Sequence, residues 1–268
     1  MCIRDRIGGI CLGFKQSNYK VLWANEIDKK ACETYTQNFP DHSLYSEDIH
    51  DLKNPKKLGN VDIITSGFPC QAFSVAGFRK GFEDHRGNLF FETARFIKDI
   101  QPKAFLLENV KNLKGHDKGN TFNIIEKTMT QELGYSFIPF VLNSKDYSNT
   151  PQTRERIYMV GFKGEAHSSK ICTNNFRQLE KIPLSKGIKD ILDKDKQDLK
   201  YYYKKDHQYY PTLINEMKSD RTVYQWRRVY VRENKSNLCP TLTANMGTGG
   251  HNVPLIKDKY GIRKLTPA

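Results

Sequence analysis

Three short stretches hold residue types that can act together chemically. In Ser66-Gly-Phe-Pro-Cys-Gln-Ala-Phe-Ser74, a cysteine follows an apolar β-branched run and is preceded by Pro69. That placement holds the Cys70 sulfur at the mouth of a sheet, and a thiolate there is a nucleophile where nearby cations lower its pKa. The ordinary role of a lone cysteine is a buried structural thiol, and Cys70 taken alone favours that role. In Leu106-Leu-Glu-Asn-Val110, Glu108 ends a second apolar run. A carboxyl group at such a strand end can hold or donate a proton near neutral pH, or simply face solvent. In Pro151-Gln-Thr-Arg-Glu-Arg-Ile157, Arg154 and Arg156 stand two apart at a strand entrance. Side chains at that spacing point to one side, where they can lower a thiolate pKa and bind an oxygen acceptor. The bland alternative is a solvated charge run.

The elements that must position these residues are legible as alternation. Val21 to Ala24 reads as a strand ending at Asn25-Glu26, and Val61 to Thr65 as a strand stopping at Ser66-Gly67. Phe90, Ala94, Ile97 and Ile100 fall at helical spacing. Ala104 to Leu107 reads as a strand, Thr121 to Leu133 as a helix closed by Gly134, and Tyr135 to Leu142 and Ile157 to Phe162 as further strands. Strand–helix alternation predicts an α/β fold with a mostly parallel sheet and helices on both faces. Ligands of such sheets gather at the carboxyl ends of the strands, and Glu26, Cys70 and Glu108 all fall just after such ends.

The alternation stops near residue 163. Lys186 to Lys205 is rich in Lys, Asp and Tyr, and β-like pieces follow at Thr222 to Val231 and Cys239 to Ala244. This predicts a second, smaller, irregular β-rich domain. Charge divides at the same place. Residues 1–162 carry 22 Lys+Arg against 19 Asp+Glu, whereas residues 163–262 carry 19 against 11. A basic module beside a near-neutral one suits a polyanion, although Lys-rich surfaces also serve solubility alone. The chain has 268 residues and 38% hydrophobic residues, enough for a buried core. No apolar run is long enough for a transmembrane span. Its six cysteines form no Cys-x-x-Cys pair and stand at no zinc-ligand spacing, so no metal site is expected. A reduced cytoplasmic setting is the default.

The three stretches, in this order and spacing, resemble the cytosine-C5 DNA methyltransferases, especially those of bacterial restriction–modification systems. The family's Pro-Cys-Gln loop stands at 69–71, its Glu-Asn-Val at 108–110 and its Gln-x-Arg-x-Arg at 152–156. Arg86-Gly-Asn-Leu-Phe-Phe-Glu92 and Lys264-Leu-Thr-Pro267 also match. The resemblance implies a Rossmann-like methyltransferase sheet that uses S-adenosylmethionine and acts on double-stranded DNA. It implies that Cys70 adds to C6 of a cytosine, that Glu108 engages N3 and the exocyclic amine, and that Arg154, with Arg156 beside it, binds the base oxygen and the thiolate. Gln71 and Asn109 join this catalytic set. The cytosine must be flipped from the duplex to be reached, and Ser74 is then a DNA contact.

For the cofactor, the resemblance implies Ile7, Gly8 and Gly9 at the first helix, Glu26 and Ile27 at the ribose, Asp48 and Ile49 at the adenine, and Pro69 and Leu89 at the methionine end. An acid about 20 residues after a glycine turn is the usual ribose ligand of nucleotide-binding folds. Residues 1–163 would form the catalytic and cofactor-binding domain, 164–262 the target-recognition domain, and 263–268 the start of a return segment. Tyr224, Arg227, Arg228, Thr241 and Leu242 are the expected DNA contacts, with local core as the bland alternative for Tyr224 and Trp226. A bacterial or phage-encoded monomer with a separate cognate endonuclease is the implied setting.

Two departures stand against the family pattern. Met1-Cys-Ile-Arg-Asp-Arg6 replaces the apolar strand that opens the family, and a charged hexapeptide is a poor central strand. The chain also stops inside a family motif, which reads as truncation at both ends and predicts weak cofactor binding. The alternatives are then an incompetent fragment acting only as a DNA-binding module, or a transfer-RNA cytosine methyltransferase. The latter's Cys-Phe-Thr signature is absent.

Overall fold

The apolar runs read from sequence become the strands of one sheet in the computed structural model, which describes residues 1–70, 89–164, 179–227, 230–243 and 253–266. The chain divides into two units, one of Met1–Val141 with Arg156–Leu179, the other of Leu142–Glu155 with Glu180–Ala268. By packing, residues 142–155 therefore go with the second unit, whereas the sequence reading drew its line at 163.

The first unit is built on seven strands. They are β1 (Cys2–Ile3), β2 (Trp23–Asn25), β3 (Ser43–Tyr45), β4 (Ile63–Ser66), β5 (Ala104–Val110), β6 (Ile138–Asn143) and, after the two-residue β7 (Gln152–Thr153), β8 (Glu155–Phe162). Their order across the sheet is β3-β2-β1-β4-β5-β8-β6. The first five pair in parallel, and β8 runs antiparallel to β5. The helices among them are α1 (Gly9–Gln16), α2 (Lys29–Asn38), α3 (Leu89–Ile100) and α4 (Asn120–Lys127). Helix α3 shows why the periodicity was legible: Phe90, Ala94 and Ile97 lie on one face and are fully buried. They join Ile64, Phe105, Leu107, Ile125 and Met159 in the main core.

The opening hexapeptide corrects the sequence expectation. Only Cys2 and Ile3 lie between neighbouring strands, paired with Ala24–Asn25 on one side and Thr65–Ser66 on the other. The charges begin past the strand's end, where each has a partner. The Arg4 guanidinium donates to the Gly67 carbonyl at 2.8 Å. Both Asp5 oxygens cap α1, accepting from Ile10 N and Cys11 N at 2.9 Å each. Arg6 stands 3.9 Å from Glu26 and Asp28.

The second unit has a four-stranded sheet of order β10-β9-β12-β13, from β9 (Tyr224–Arg227), β10 (Tyr230–Glu233), β12 (Pro254–Asp258) and β13 (Gly261–Lys264). Strand β11 (Cys239–Pro240) pairs in parallel with β7. One face of the larger sheet packs Tyr224, Leu255 and Ile262 against Leu213 and Met217. The last-named residues belong to and follow the helix Tyr210–Glu216, which is α7 after α5 (Ser144–Tyr147) and α6 (Ile188–Ile191). Among the described residues no helix is long and apolar enough to cross a membrane.

Candidate active site

Strands β4 and β5 run parallel with Ser66 opposite Leu107. Phe68 to Cys70 therefore leave the sheet at the carboxyl edge where Glu108 and Asn109 lie near the end of β5, the edge at which parallel sheets place their ligands. Cys70 is half-buried and packs against the main core. Burial pushes its thiol above the ordinary value of 9.0. The expected lowering by cations is thus corrected for this state of the protein: desolvation dominates, and the thiol holds its proton at neutral pH.

Asn109 fixes the cysteine loop. Its side chain is buried, its Nδ2 donates to the Phe68 carbonyl at 2.9 Å, and its Oδ1 accepts from Val110 N at 2.8 Å. Asn109 therefore acts on the backbone two residues before Cys70, as a positioning residue.

The two arginines part company. In the β5–β8 ladder Arg156 stands opposite Val110 and Tyr158 opposite Glu108, which puts Arg156 and Glu108 on one face. Arg156 Nε donates to Glu108 Oε1 at 2.9 Å, with side chains 15% and 23% exposed. Arg154 belongs to the second unit. Its backbone N–H donates to Asn143 Oδ1 at 3.1 Å, and its guanidinium to the Leu242 carbonyl at 3.4 Å.

At the cofactor positions, Glu26 follows β2 and is 2% exposed. Its Oε1 accepts from Ile27 N at 3.0 Å and Asp28 N at 2.9 Å, and its Oε2 from Arg6 N at 3.1 Å. A carboxylate accepts about four hydrogen bonds, so one acceptor direction is left for a ribose hydroxyl. Ile7 and Ile27 are 54% and 59% exposed beside it. Gly8 caps α1 at φ 96°, and a Cβ there would stand 2.1 Å from the Phe39 ring. Only glycine fits that turn. The Asp48 side chain is 44% exposed, so its carboxylate is presented outward while bonded to His50. Ile49 is buried, Pro69 is half-buried, and Leu89 packs against the core. An anchored acid, an exposed apolar pair and an outward carboxylate fit the ribose, base and amine of S-adenosylmethionine.

One residue of this region escaped the sequence reading. Arg95 on α3 donates to the Leu52 and Ile49 carbonyls at 3.1 Å each, and its Nε to Glu92 at 2.9 Å. It therefore braces the loop that carries Asp48 and Ile49. The Glu92–Arg95 pair was visible as an i, i+3 spacing, but the bonds to residues 43 and 46 positions away were not.

In the second unit Tyr224 is 1% exposed, and its hydroxyl accepts from Ser219 N at 2.8 Å. It is a core residue, which corrects its expected place at DNA. Leu242 is half-buried, and its side chain packs with Ile188, Val223 and Ile256. Thr241 Oγ1 donates to the Thr153 carbonyl at 2.7 Å. Arg227 faces away from the core and lines a pocket. Gln71, Ser74 and Arg228 lie outside the described residues.

Comparison with known proteins places the chain among relatives. Residues 3–268 match the family described as C-5 cytosine-specific DNA methylase. The chain is 53% identical over 265 residues to the Type II methyltransferase M.Bsp6I of Bacillus sp. (strain RFL6), covering 97% of this chain and 82% of that protein. It is 42% identical over 186 residues to M.HhaI of Haemophilus parahaemolyticus, covering 69% of this chain but only 54% of that one. Among solved structures, a mutant DNMT2 of Spodoptera frugiperda is similar with a TM-score of 0.57 at 23% identity, over 75% of this chain and 61% of its own. A prophage-encoded DNA modification methyltransferase from E. coli is similar with a TM-score of 0.56 at 26% identity, over 77% and 60%.

Proposed function

The chain belongs to the C-5 cytosine-specific DNA methylase family, and from that premise we propose that it methylates C5 of a cytosine in double-stranded DNA through a covalent Cys70–C6 adduct. The observation that carries this reading is the shared sheet edge. It presents the Phe68–Cys70 loop, tied down by Asn109, beside Glu108 in its ion pair with Arg156.

Cytosine C5 is a poor nucleophile until a group adds at C6. Cys70, deprotonated on engaging the base, makes that bond as the C5–C6 double bond opens toward C5. Glu108 brings a proton to N3 and accepts from the exocyclic amine, so the negative charge that develops on the ring is offset by a carboxyl group kept in place by Arg156. S-adenosylmethionine, the methyl donor of this family, supplies an electrophilic methyl group when bound. Glu26 would take its ribose, Asp48 and Ile49 its adenine, and Pro69 and Leu89 its methionine end. Loss of the C5 proton then expels Cys70 and restores the aromatic ring. Arg154 binds the base oxygen. Residues 164–262 choose the sequence, and the protein works as a cytoplasmic monomer modifying sites that a separate endonuclease cuts.

Duplex DNA containing 5-fluorocytosine at the target traps the adduct, because fluorine cannot leave as the proton does. The parent should form a denaturant-stable complex, and Cys70→Ser should form none. A complex that survives in Cys70→Ser would overturn the assignment.

A further inference from the structure

The hairpin of β9 and β10 separates two chemistries. Its register sets Arg227 opposite Tyr230, Trp226 opposite Val231, Gln225 opposite Arg232 and Tyr224 opposite Glu233. Opposed residues of an antiparallel pair share a face, and successive residues alternate. Tyr224, Trp226 and Val231 accordingly pack against the core of this unit. Gln225, Arg227 and Arg232 share the other face, and all three line a pocket of about 390 Å³.

The lining groups are unequally committed. Asn234 is spent on local structure: its Nδ2 donates to the Leu238 carbonyl and its Oδ1 accepts from Ser236 N. Thr241 is spent on the Thr153 carbonyl. The guanidiniums are not. Arg227 donates one Nη2 bond to Gln225 Oε1 at 3.2 Å, and its Nε is buried without a partner. Arg232 is exposed and makes no ion pair among the described residues. Among the described residues that line it, none is a carboxylate. Two forked cations with no acid between them call for a ligand rich in acceptors.

Duplex DNA offers two such ligands, phosphate oxygens and the O6/N7 edge of guanine. A phosphate is served by any flexible cation. Here Gln225, 5% exposed, braces the plane of Arg227, and a second fork converges on the same pocket from an edge strand. A fixed planar fork such as that of Arg227 suits the in-plane pair of acceptors on guanine, and a two-stranded ribbon fits the major groove. We propose that Arg227 and Arg232, with Gln225 orienting the first, read guanine in the recognition sequence. The proposal rests on the methylation of double-stranded DNA argued above.

The test replaces each guanine of the methylated site in turn with 7-deazaguanine, which lacks the N7 acceptor, and measures kcat/KM on each duplex. The parent should lose about ten- to a hundredfold at one guanine or more. Arg227→Lys keeps the charge and loses the fork. It should lose that sensitivity at one position, and Arg232→Lys at another. Bisulfite sequencing should then show methylation at sites degenerate at those positions. If the lysine variants keep the parent's pattern, or if alanine variants weaken all sequences equally with a shallower salt dependence, these arginines hold phosphates and the proposal falls. A parent that methylates DNA but ignores every deaza substitution sinks this inference alone. A parent that methylates no cytosine in DNA sinks the underlying reading with it.

Discussion

The Glu108–Arg156 pair makes the sharpest energetic statement about the site. The contact is 2.9 Å long, and the two side chains retain 23% and 15% of their exposure. It stands between a surface ion pair, worth about 0–1 kcal/mol, and a buried one, whose rupture costs about 3–5 kcal/mol. Arg156→Met removes the guanidinium and keeps the stem, leaving Glu108 three-quarters enclosed without its cation. We expect a loss of about 2 kcal/mol in unfolding free energy. Glu108→Gln keeps a carbonyl oxygen that still accepts from Arg156 and should cost about 1 kcal/mol. If the pair is a unit, the double variant should be less destabilised than the sum of the two by about 1–2 kcal/mol. Urea unfolding gives the three differences. Methyl transfer measured alongside should fall sharply in both single variants, while S-adenosylmethionine affinity by calorimetry stays near the parent's. A coupling under about 0.3 kcal/mol would refute the pairing. A cofactor dissociation constant that rises as fast as kcat falls would place Glu108 at the wrong ligand.

Three other outcomes follow from the geometry. Because burial raises the Cys70 thiol above its ordinary value, alkylation of the free protein by iodoacetamide, read at the Cys70 peptide, should keep rising past pH 9, and a plateau below pH 8 would contradict this. Arg95→Ala frees the Ile49 and Leu52 carbonyls and should weaken S-adenosylmethionine binding about tenfold, with Arg95→Lys partly restoring it; unchanged affinity in a folded Arg95→Ala protein would remove Arg95 from the cofactor loop's support. Gly8→Ala must place a methyl at φ 96° and 2.1 Å from Phe39 and should cost about 2–4 kcal/mol by urea unfolding; a loss under about 0.5 kcal/mol would mean the turn is not as described.

What the sequence by itself determined is whatever depends on neighbours along the chain. Short apolar runs alternating with helical periods require a parallel sheet, and the residue just after each run must emerge at its carboxyl edge. Cys70, Glu108 and Glu26 could therefore be named without coordinates, and the motif order carried the family. What only the tertiary structure decided is how distant groups pair and which way a side chain faces. Arg154 and Arg156 are equivalent in spacing, yet it is Arg156 that the β5–β8 register sets against Glu108. Tyr224 and Arg227 stand in one aromatic and basic cluster, but strand alternation buries the first and turns the second outward with Gln225 and Arg232. The charged opening hexapeptide reads as a broken strand. Asp5 is instead absorbed locally, as a cap of the helix that follows, whereas Arg4 is absorbed by a carbonyl 63 residues along the chain. Register and facing are set when the hydrophobic faces of separate elements are buried together, and no local pattern records which distant partner each will meet.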